Sequence, residues 1–211
     1  MKSQPRQPRP NQPHKSARLI KKPKQPQPQN NYAFIDSQNL NLGVQKLGWK
    51  MDWRKFRIWL EEKYGVTHAY MFIGYMAENE SLYELMHDHG YLIVLKPTLE
   101  IKADAAAASD PEHKDDQKPV IKGNIDADLV LYAMKEYASY DKAVIVSGDG
   151  DFFGLVEYLA DQKKLLKLFT PNQRYSTLLK DFEPYIECLD GHRRELAYRD
   201  RRIVRRPKTA K

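Results

Sequence analysis

Residues 142–152 read KAVIVSGDGDF, an apolar run that ends in small residues and two aspartates. A short unbroken apolar run bounded by Gly is typical of a strand covered on both faces of a parallel sheet. We therefore predict a strand over Lys142–Ser147 and, from the apolar spacing that follows, a helix over Asp151–Gln162. Strand, turn and helix in this order form the repeating unit of α/β sheets.

The same unit recurs along the chain on both sides of this stretch. Further strands are predicted at Tyr32–Asp36, His68–Tyr75, Tyr91–Leu95 and Leu165–Phe169, with a short run at Tyr185–Leu189. Further helices are predicted at Asp52–Tyr64, Glu78–His89 (with Leu82, Leu85 and Met86 inward), Asn124–Ser139 and Tyr175–Phe182, and a long loop at 96–121. The expected architecture is a three-layer α/β/α fold with a doubly wound, mainly parallel, Rossmann-like sheet.

Charge divides the chain into three parts. Residues 1–30 hold eight Lys/Arg and no acid in a Pro/Gln-rich stretch, which predicts a disordered basic tail. Residues 191–211 are predicted as a second basic tail, and 31–190 as the folded domain. Because the whole chain carries a net charge of +7, the body between the tails must be acidic. Basic tails attract polyanions, so nucleic acid is the expected partner.

The apolar stretches, the N-terminal composition and the cysteine count indicate the setting in which the protein is expected to work. No apolar stretch approaches the ~20 residues that a membrane span needs, and the N-terminus has no apolar signal region. Cys188 is the single cysteine in the sequence, which excludes an internal disulfide and Cys-rich zinc sites. We expect no membrane partner and a reducing, cytoplasmic setting.

Aspartates follow the predicted strands at the edge where such folds bind ligands. Asp36 ends the first strand and Asp149 follows the fourth, so their carboxylates share one crevice if the two strands are neighbours. At ~100° per residue, Asp126 lies on the apolar face of its helix, whereas Asp128 points away, toward Lys135. Asp126 is thus the ligand candidate, and Asp128 is solvated or supports a ligand from outside. Crowded carboxylates favour a hard cation such as Mg²⁺.

Each acid also has a purely structural interpretation. Asp151 begins a predicted helix and is suited to capping it, and Asp149 lies in a Gly-Asp-Gly turn. Asp36 is able to hold a loop through backbone hydrogen bonds, and Asp126 to interact with its helix dipole alone. The combined placement at one edge of the sheet favours a functional cluster.

Three motifs resemble those of the NYN domains in the PIN-like nuclease superfamily, over about Tyr32 to Leu189. They are Phe-Ile-Asp-x-x-Asn with Asp36 and Asn39, Lys-Gly-Asn-Ile-Asp from Lys122 to Asp126, and Ser-Gly-Asp-Gly-Asp-Phe from Ser147 to Phe152. The resemblance implies RNA hydrolysis with Mg²⁺ or Mn²⁺ bound by Asp36, Asp126, Asp149 and Asp151. It also implies that Asn39 braces this cluster and that Ser147 supports the ligands. Where many relatives have a further Asp, this chain has Tyr132.

Basic residues offer candidates for substrate contact. Lys122 adjoins the acids, while Arg54, Lys55 and Arg57 share a helix with Trp53 and Trp59. They are suited to binding phosphates. The alternative for the helix is a tryptophan core with a solvated charged face, and Lys122 has the alternative of pairing with an aspartate.

Two other functions remain open on the sequence. The first is a non-catalytic RNA-binding or regulatory module with the same fold. The second is a small-molecule phosphatase, although the haloacid-dehalogenase type would need Asp-x-Asp after the first strand, where this chain has Asp36-Ser-Gln-Asn39.

Overall fold

The structure is a computed structural model that describes residues 29–74, 79–96 and 125–199. Its strands are β1 (Asn31–Asp36), β2 (Val66–Gly74), β3 (Tyr91–Lys96), β4 (Ala143–Val146), β5 (Leu165–Thr170) and β6 (Ile186–Cys188). Its α-helices are α1 (Ser37–Gln45), α2 (Trp53–Tyr64), α3 (Glu80–Asp88), α4 (Asp126–Lys135), α5 (Phe153–Asp161) and α6 (Arg193–Leu196). Short 3₁₀ segments occupy Gly150–Phe152, Thr177–Tyr185 and Leu189–His192.

The six strands form one parallel sheet in the order β3-β2-β1-β4-β5-β6. From β1 the chain first builds outward through β2 and β3, and then returns to place β4 on the other side of β1. The order therefore reverses between β1 and β4, where Ile35 is paired with Val146. In doubly wound sheets, ligands bind in the crevice at this switch point.

Helices cover both faces of the sheet. One hydrophobic cluster joins the strands to α1, α2, α3 and α6, and includes Leu40, Phe56, Met86 and Leu196. The other joins them to α4, α5 and the 177–185 segment, and includes Leu129, Val156 and Leu179. The predicted three-layer α/β/α fold is confirmed, and all of its described strand pairings are parallel.

Helix α1 was not predicted from the sequence. Its apolar signal is small, since Leu40 and Val44 are its only fully buried residues. Asp36 caps its first turn by accepting a hydrogen bond from the Asn39 backbone N–H. The predicted strand-ending carboxylate therefore also begins a helix, which is the ordinary role of an N-cap Asp.

Two predicted helices differ from those in the structure. In α3, Tyr83 and Met86 are buried, whereas Leu82 and Leu85 are 42% and 48% exposed, so the prediction that these leucines face inward is wrong. This helix packs mainly over the edge strand β3, and it therefore buries only a narrow i, i+3 stripe. The helix predicted over Tyr175–Phe182 is a 3₁₀ segment that contains Pro184 and a non-helical Phe182.

The end of α4 and the start of the predicted C-terminal tail also differ from their predicted positions. The helix predicted from Asn124 to about Ser139 is α4, which ends at Lys135, and Asn124 lies outside the described residues. Part of the segment predicted as a basic C-terminal tail is packed on the body: Leu196 is fully buried, and its carbonyl accepts from the Asp52 N–H. The residues predicted as an N-terminal tail and a 96–121 loop lie outside the described part, except 29–30 and 96.

Candidate active site

The switch point brings the ends of β1 and β4 side by side. Asp36 is the last residue of β1, and Asp149 follows β4 after Ser147 and Gly148. Asp36 is 6% exposed. One of its carboxylate oxygens accepts from the Asn39 N–H at 3.0 Å, and the other accepts from the Ser147 hydroxyl at 3.1 Å. The sheet order makes these two strands neighbours, which is the condition that the sequence left open for a shared crevice.

A chain of hydrogen bonds holds the turn after β4 against β1. The Ser147 Oγ, which donates to Asp36, also accepts from the Asp149 N–H at 3.1 Å. The Asn39 Oδ1 accepts from the Gly148 N–H at 2.9 Å. Asn39 and Ser147 therefore link the two strand ends through side-chain contacts, and together they fix where the acidic residues lie.

Burial raises the pKa of Asp36 above its ordinary value, and the charge of Asp149 raises it further. The hydrogen bonds from Asn39 and Ser147 act in the opposite direction, because they stabilise the ionised form. The carboxylate is thus held in a position where its negative charge is costly.

Asp126 is the first residue of α4, and it interacts electrostatically with Asp36, Asp149 and Asp151; these four residues are called the acidic cluster below. Burial raises its pKa, and the charges of Asp36, Asp149 and Asp151 add to that rise, while Lys96 partly offsets it. Four carboxylates therefore interact electrostatically across three elements. Lys96, at the end of β3, is the residue here that was missed from the sequence, although its place after a strand is the signal that identified the aspartates.

Asp128 and Asp151 have contacts that the sequence did not indicate. The helix pattern predicts Asp128 on the side of α4 near Lys135. Asp128 forms an ion pair with Lys96 at 3.2 Å and is only partly exposed, because the end of β3 lies beside the first turn of α4. The alternative of a helix cap at Asp151 is not what the structure has. Asp149 is the cap of the 150–152 segment and accepts from the Asp151 N–H, so the exposed Asp151 side chain has no capping role.

A comparison with protein families matches residues 32–190 to the NYN domain. The chain belongs to the NYN domain family. The predicted resemblance is thereby confirmed, and with it the PIN-like nuclease fold. No curated protein matches the chain significantly.

A solved structure similar to this NYN domain is that of a Vibrio parahaemolyticus protein of unknown function. The two are 18% identical and superpose with a TM-score of 0.58, covering 82% of this chain and 99% of the other. At this identity the likeness concerns the fold alone. Within the described residues, no helix is long and apolar enough to cross a membrane.

The donors of this NYN domain suit a hard divalent cation in their chemistry. They are carboxylates. Burial and, after it, repulsion from the other acids raise the pKa of Asp126, and a bound cation relieves repulsion of this kind. The described side chains do not form a closed ligand set: no three His, Cys, Asp or Glu among them lie together as a metal-binding group.

The described residues that were predicted to bind substrate share α2 but have different surroundings. The Lys55 ammonium is held by Asp52 at 3.0 Å and by the Ala197 carbonyl at 3.1 Å, and Arg54 is exposed on α2. Arg57 is buried and binds backbone carbonyls, so it does not meet phosphate. Lys122 lies outside the described residues. Tyr132, in place of the additional family Asp, packs its ring against Tyr70 and Phe72.

Proposed function

We propose that this NYN domain is a ribonuclease that hydrolyses RNA phosphodiester bonds with Mg²⁺ or Mn²⁺. Asp36, Asp126, Asp149 and Asp151 would hold the ion, which when bound supplies activation of water and neutralisation of developing negative charge. The observation that carries the proposal is the hydrogen-bonded connection from Asp36 through Ser147 to Asp149 at the switch point of the sheet. Family membership supports RNA as the substrate.

The chain's own residues would act by orientation. Asn39 and Ser147 link the end of β1 to the turn after β4, and would thereby present the carboxylates of Asp36 and Asp149 to one ion. Without a cation this crevice repels phosphate, because its acidic side chains outnumber the nearby Lys96. RNA affinity at the site should therefore increase when the divalent ion is added.

One observation favours a second function, a non-catalytic RNA-binding module of the same fold. The described acids do not form a closed metal-binding group, and a domain that lost its metal would bind RNA without cutting it. The two functions differ in their products: the module shifts labelled RNA in a gel and leaves it intact.

The deciding experiment is digestion of labelled RNA with Mg²⁺ or Mn²⁺, and with chelator, by the wild type, Asp149→Asn and Asp161→Asn. Asn at 149 keeps an acceptor for the Asp151 N–H but removes a charge from the cluster. We expect cleavage to fall by more than about 100-fold, since even residues that only support metal ligands cost 10–100-fold. Asp161 is exposed at the far end of α5, so Asp161→Asn is the matched control, and this variant should cleave RNA at the wild-type rate.

Three results would contradict the proposal. They are undiminished cleavage by Asp149→Asn in excess metal, cleavage by the wild type in chelator, and intact RNA with both ions. The last of these, together with a shifted band, would establish the binding module instead. Circular dichroism of each variant checks that the fold is retained.

A further inference from the structure

A cleft of about 770 Å³ opens beside the acidic cluster. Asn39 and Gly148 line it, and these are the residues whose hydrogen bond joins β1 to the turn after β4. Its other lining residues belong to α1 and the two residues after it, to the loop 171–174, and to residues 188–191. Its volume lies within the range of roughly 300–1,000 Å³ that is usual for ligand sites.

The walls of the cleft are fixed by backbone packing. Gly43 of α1 lies so close to Pro171 that a Cβ at this position would overlap the proline ring. The Asn172 side-chain amide donates to the Gly43 carbonyl at 3.0 Å, and its Oδ1 accepts from the Arg174 N–H at 2.8 Å. The loop is therefore held on α1, and the cleft exists before any ligand arrives.

The cleft differs from the acidic cluster in charge. Lys46 and Arg174 line it, both are exposed, and neither forms an ion pair with any described residue. The acid in its lining is Asp190, whose Oδ1 accepts from the Trp49 indole N–H at 2.9 Å. Lys46 and Arg174 thus provide positive charge in a cleft that adjoins the acidic cluster.

The rest of the lining offers contacts that suit a base. Leu42 and Leu47 are 47% and 37% exposed, which is high for leucines that line a recess. The amide of Gln173 adds hydrogen-bonding capacity. Apolar surface, an amide and these two cations form the combination that single-stranded nucleic acid requires, since an unpaired base has a face to pack and a phosphate to neutralise.

We propose that this cleft binds the nucleotide adjacent to the scissile phosphate of a single-stranded RNA, with Lys46 and Arg174 contacting its phosphates. The identity of the ligand as RNA rests on the proposed function. The direct continuity of the cleft with Asn39 and Gly148 places a bound strand so that it runs from the basic cleft into the acidic cluster. Bases stacked inside a duplex do not reach such a recess.

Cys188 allows a test that needs no catalysis. It is the single cysteine in the sequence and it lines the cleft. The rate of its alkylation by iodoacetamide, followed by mass spectrometry, is measured for the full chain in Mn²⁺ with and without a single-stranded phosphorothioate RNA, whose backbone resists hydrolysis. We expect saturating RNA to slow alkylation several-fold, and a fully paired duplex of the same length to leave the rate unchanged.

The Lys46→Glu/Arg174→Glu variant tests the two cations. Its affinity for the same RNA, measured by fluorescence anisotropy, should fall tenfold or more, and its salt slope by about 0.7 for each phosphate that is no longer neutralised. The matched control is Lys142→Glu/Lys163→Glu, which makes the same charge change at exposed positions before β4 and β5, on the opposite edge of the sheet.

Several results would overturn the proposal: no RNA binding by the wild type, unchanged Cys188 alkylation at saturating RNA, equal protection by duplex, or equal affinity of the two double variants. The alkylation result for the wild type holds even if a variant fails to fold. If RNA protects Cys188 but unmodified RNA is not cut, the cleft stands and the proposed catalysis fails.

Discussion

Asp36 combines a structural contact with a costly charge. Its carboxylate caps α1, yet burial and the neighbouring Asp149 raise its pKa, so the ionised form is less favourable in the folded chain than in the unfolded one. At neutral pH the charge therefore lowers the free energy of unfolding. Function-bearing sites commonly reduce stability in this way.

Replacing Asp36 by Asn should accordingly stabilise the protein in chelator. The amide oxygen still accepts from the Asn39 N–H, and the buried charge is removed. We expect the Tm to rise by a few degrees, measured by differential scanning calorimetry in chelator, while RNA cleavage is lost. Added Mn²⁺ should stabilise the wild type more than the variant, because it binds the folded state through this carboxylate.

Asp161→Asn serves as the control, since Asp161 is exposed at the end of α5. A Tm of Asp36→Asn below that of the wild type in chelator would show that the charge is not costly. Equal stabilisation of both proteins by Mn²⁺ would remove Asp36 from the proposed ligands.

At the scale of elements, Arg57 connects α2 to two strands. Its guanidinium donates to the carbonyls of Val66 and Thr67 at the start of β2 and to that of Gly90 before β3, and it pairs with Glu61. The side chain is buried, and its guanidinium is satisfied by these carbonyls and by Glu61. Of the three basic α2 residues proposed from the sequence to contact phosphate, Arg57 is therefore structural, whereas Arg54 and Lys55 lie on the surface.

We expect Arg57→Leu to lower the free energy of unfolding by about 2–4 kcal/mol, because one buried and two partly buried carbonyls lose charge-assisted hydrogen bonds. Arg54→Leu, at an exposed position on the same helix, should change it by less than about 0.5 kcal/mol. Urea denaturation of both variants checks this difference. Equal midpoints would show that α2 is attached by its apolar face alone.

Glu187 performs a similar role at the β6 edge. Its carboxylate accepts from the Tyr64 hydroxyl at 3.1 Å, lies 2.7 Å from the His192 Nε2, and pairs with Lys167 at 2.9 Å. Burial alone raises the pKa of Glu187, but the hydrogen bonds from Lys167, His192 and Tyr64 outweigh it and hold the pKa below the ordinary value of 4.5. The ionised form is therefore more favourable in the folded chain.

A lowered pKa contributes stability above the unfolded value, and this stability is lost as the pH falls through the folded value. We expect Glu187→Gln to lower the Tm by a few degrees at pH 6, and the difference from the wild type to shrink as the pH falls below about 4.5. Thermal melts from pH 6 to about pH 3 check this. The exposed Glu183→Gln is the control, and a difference that is independent of pH would refute the prediction.

At the scale of the whole molecule, positive charge that attracts RNA lies in a different part of the chain from the acidic cluster proposed to cut it. All eight Lys/Arg of the first thirty residues lie within 1–28, whereas Asn30 is tied to the body through Asp141 and Ser139. A truncation that removes 1–28 therefore deletes the charge and leaves these hydrogen bonds in place.

This truncation should weaken RNA binding and flatten its dependence on salt, by about 0.7 in log–log slope for each phosphate that the tail neutralises. The turnover of saturating RNA should be unchanged, since no residue of the acidic cluster is removed. Anisotropy titrations over a series of salt concentrations measure the slope. A slope equal to that of the full chain would show that residues 1–28 do not contact RNA.

The sequence by itself determined which segments are strands and which aspartates follow them. Apolar runs and the residues that follow them depend on local spacing, so strands β1 to β5 and the placement of Asp36 and Asp149 were predictable. The local pattern failed for α3, whose Leu82 and Leu85 are exposed because the helix lies over an edge strand. The ion pair between Asp128 and Lys96 was not predicted either, because it joins α4 to the end of β3.

Only the tertiary structure decided which strand ends meet and what lies between them. The sheet order places β1 against β4, and from that single adjacency follow the contacts of Asn39 and Ser147 and the cleft beside them. Lys46 and Arg174 are far apart in the sequence, and no spacing relates them. They line one cleft because the packing of Gly43 on Pro171 brings α1 to the loop after β5, a contact that depends on the whole fold.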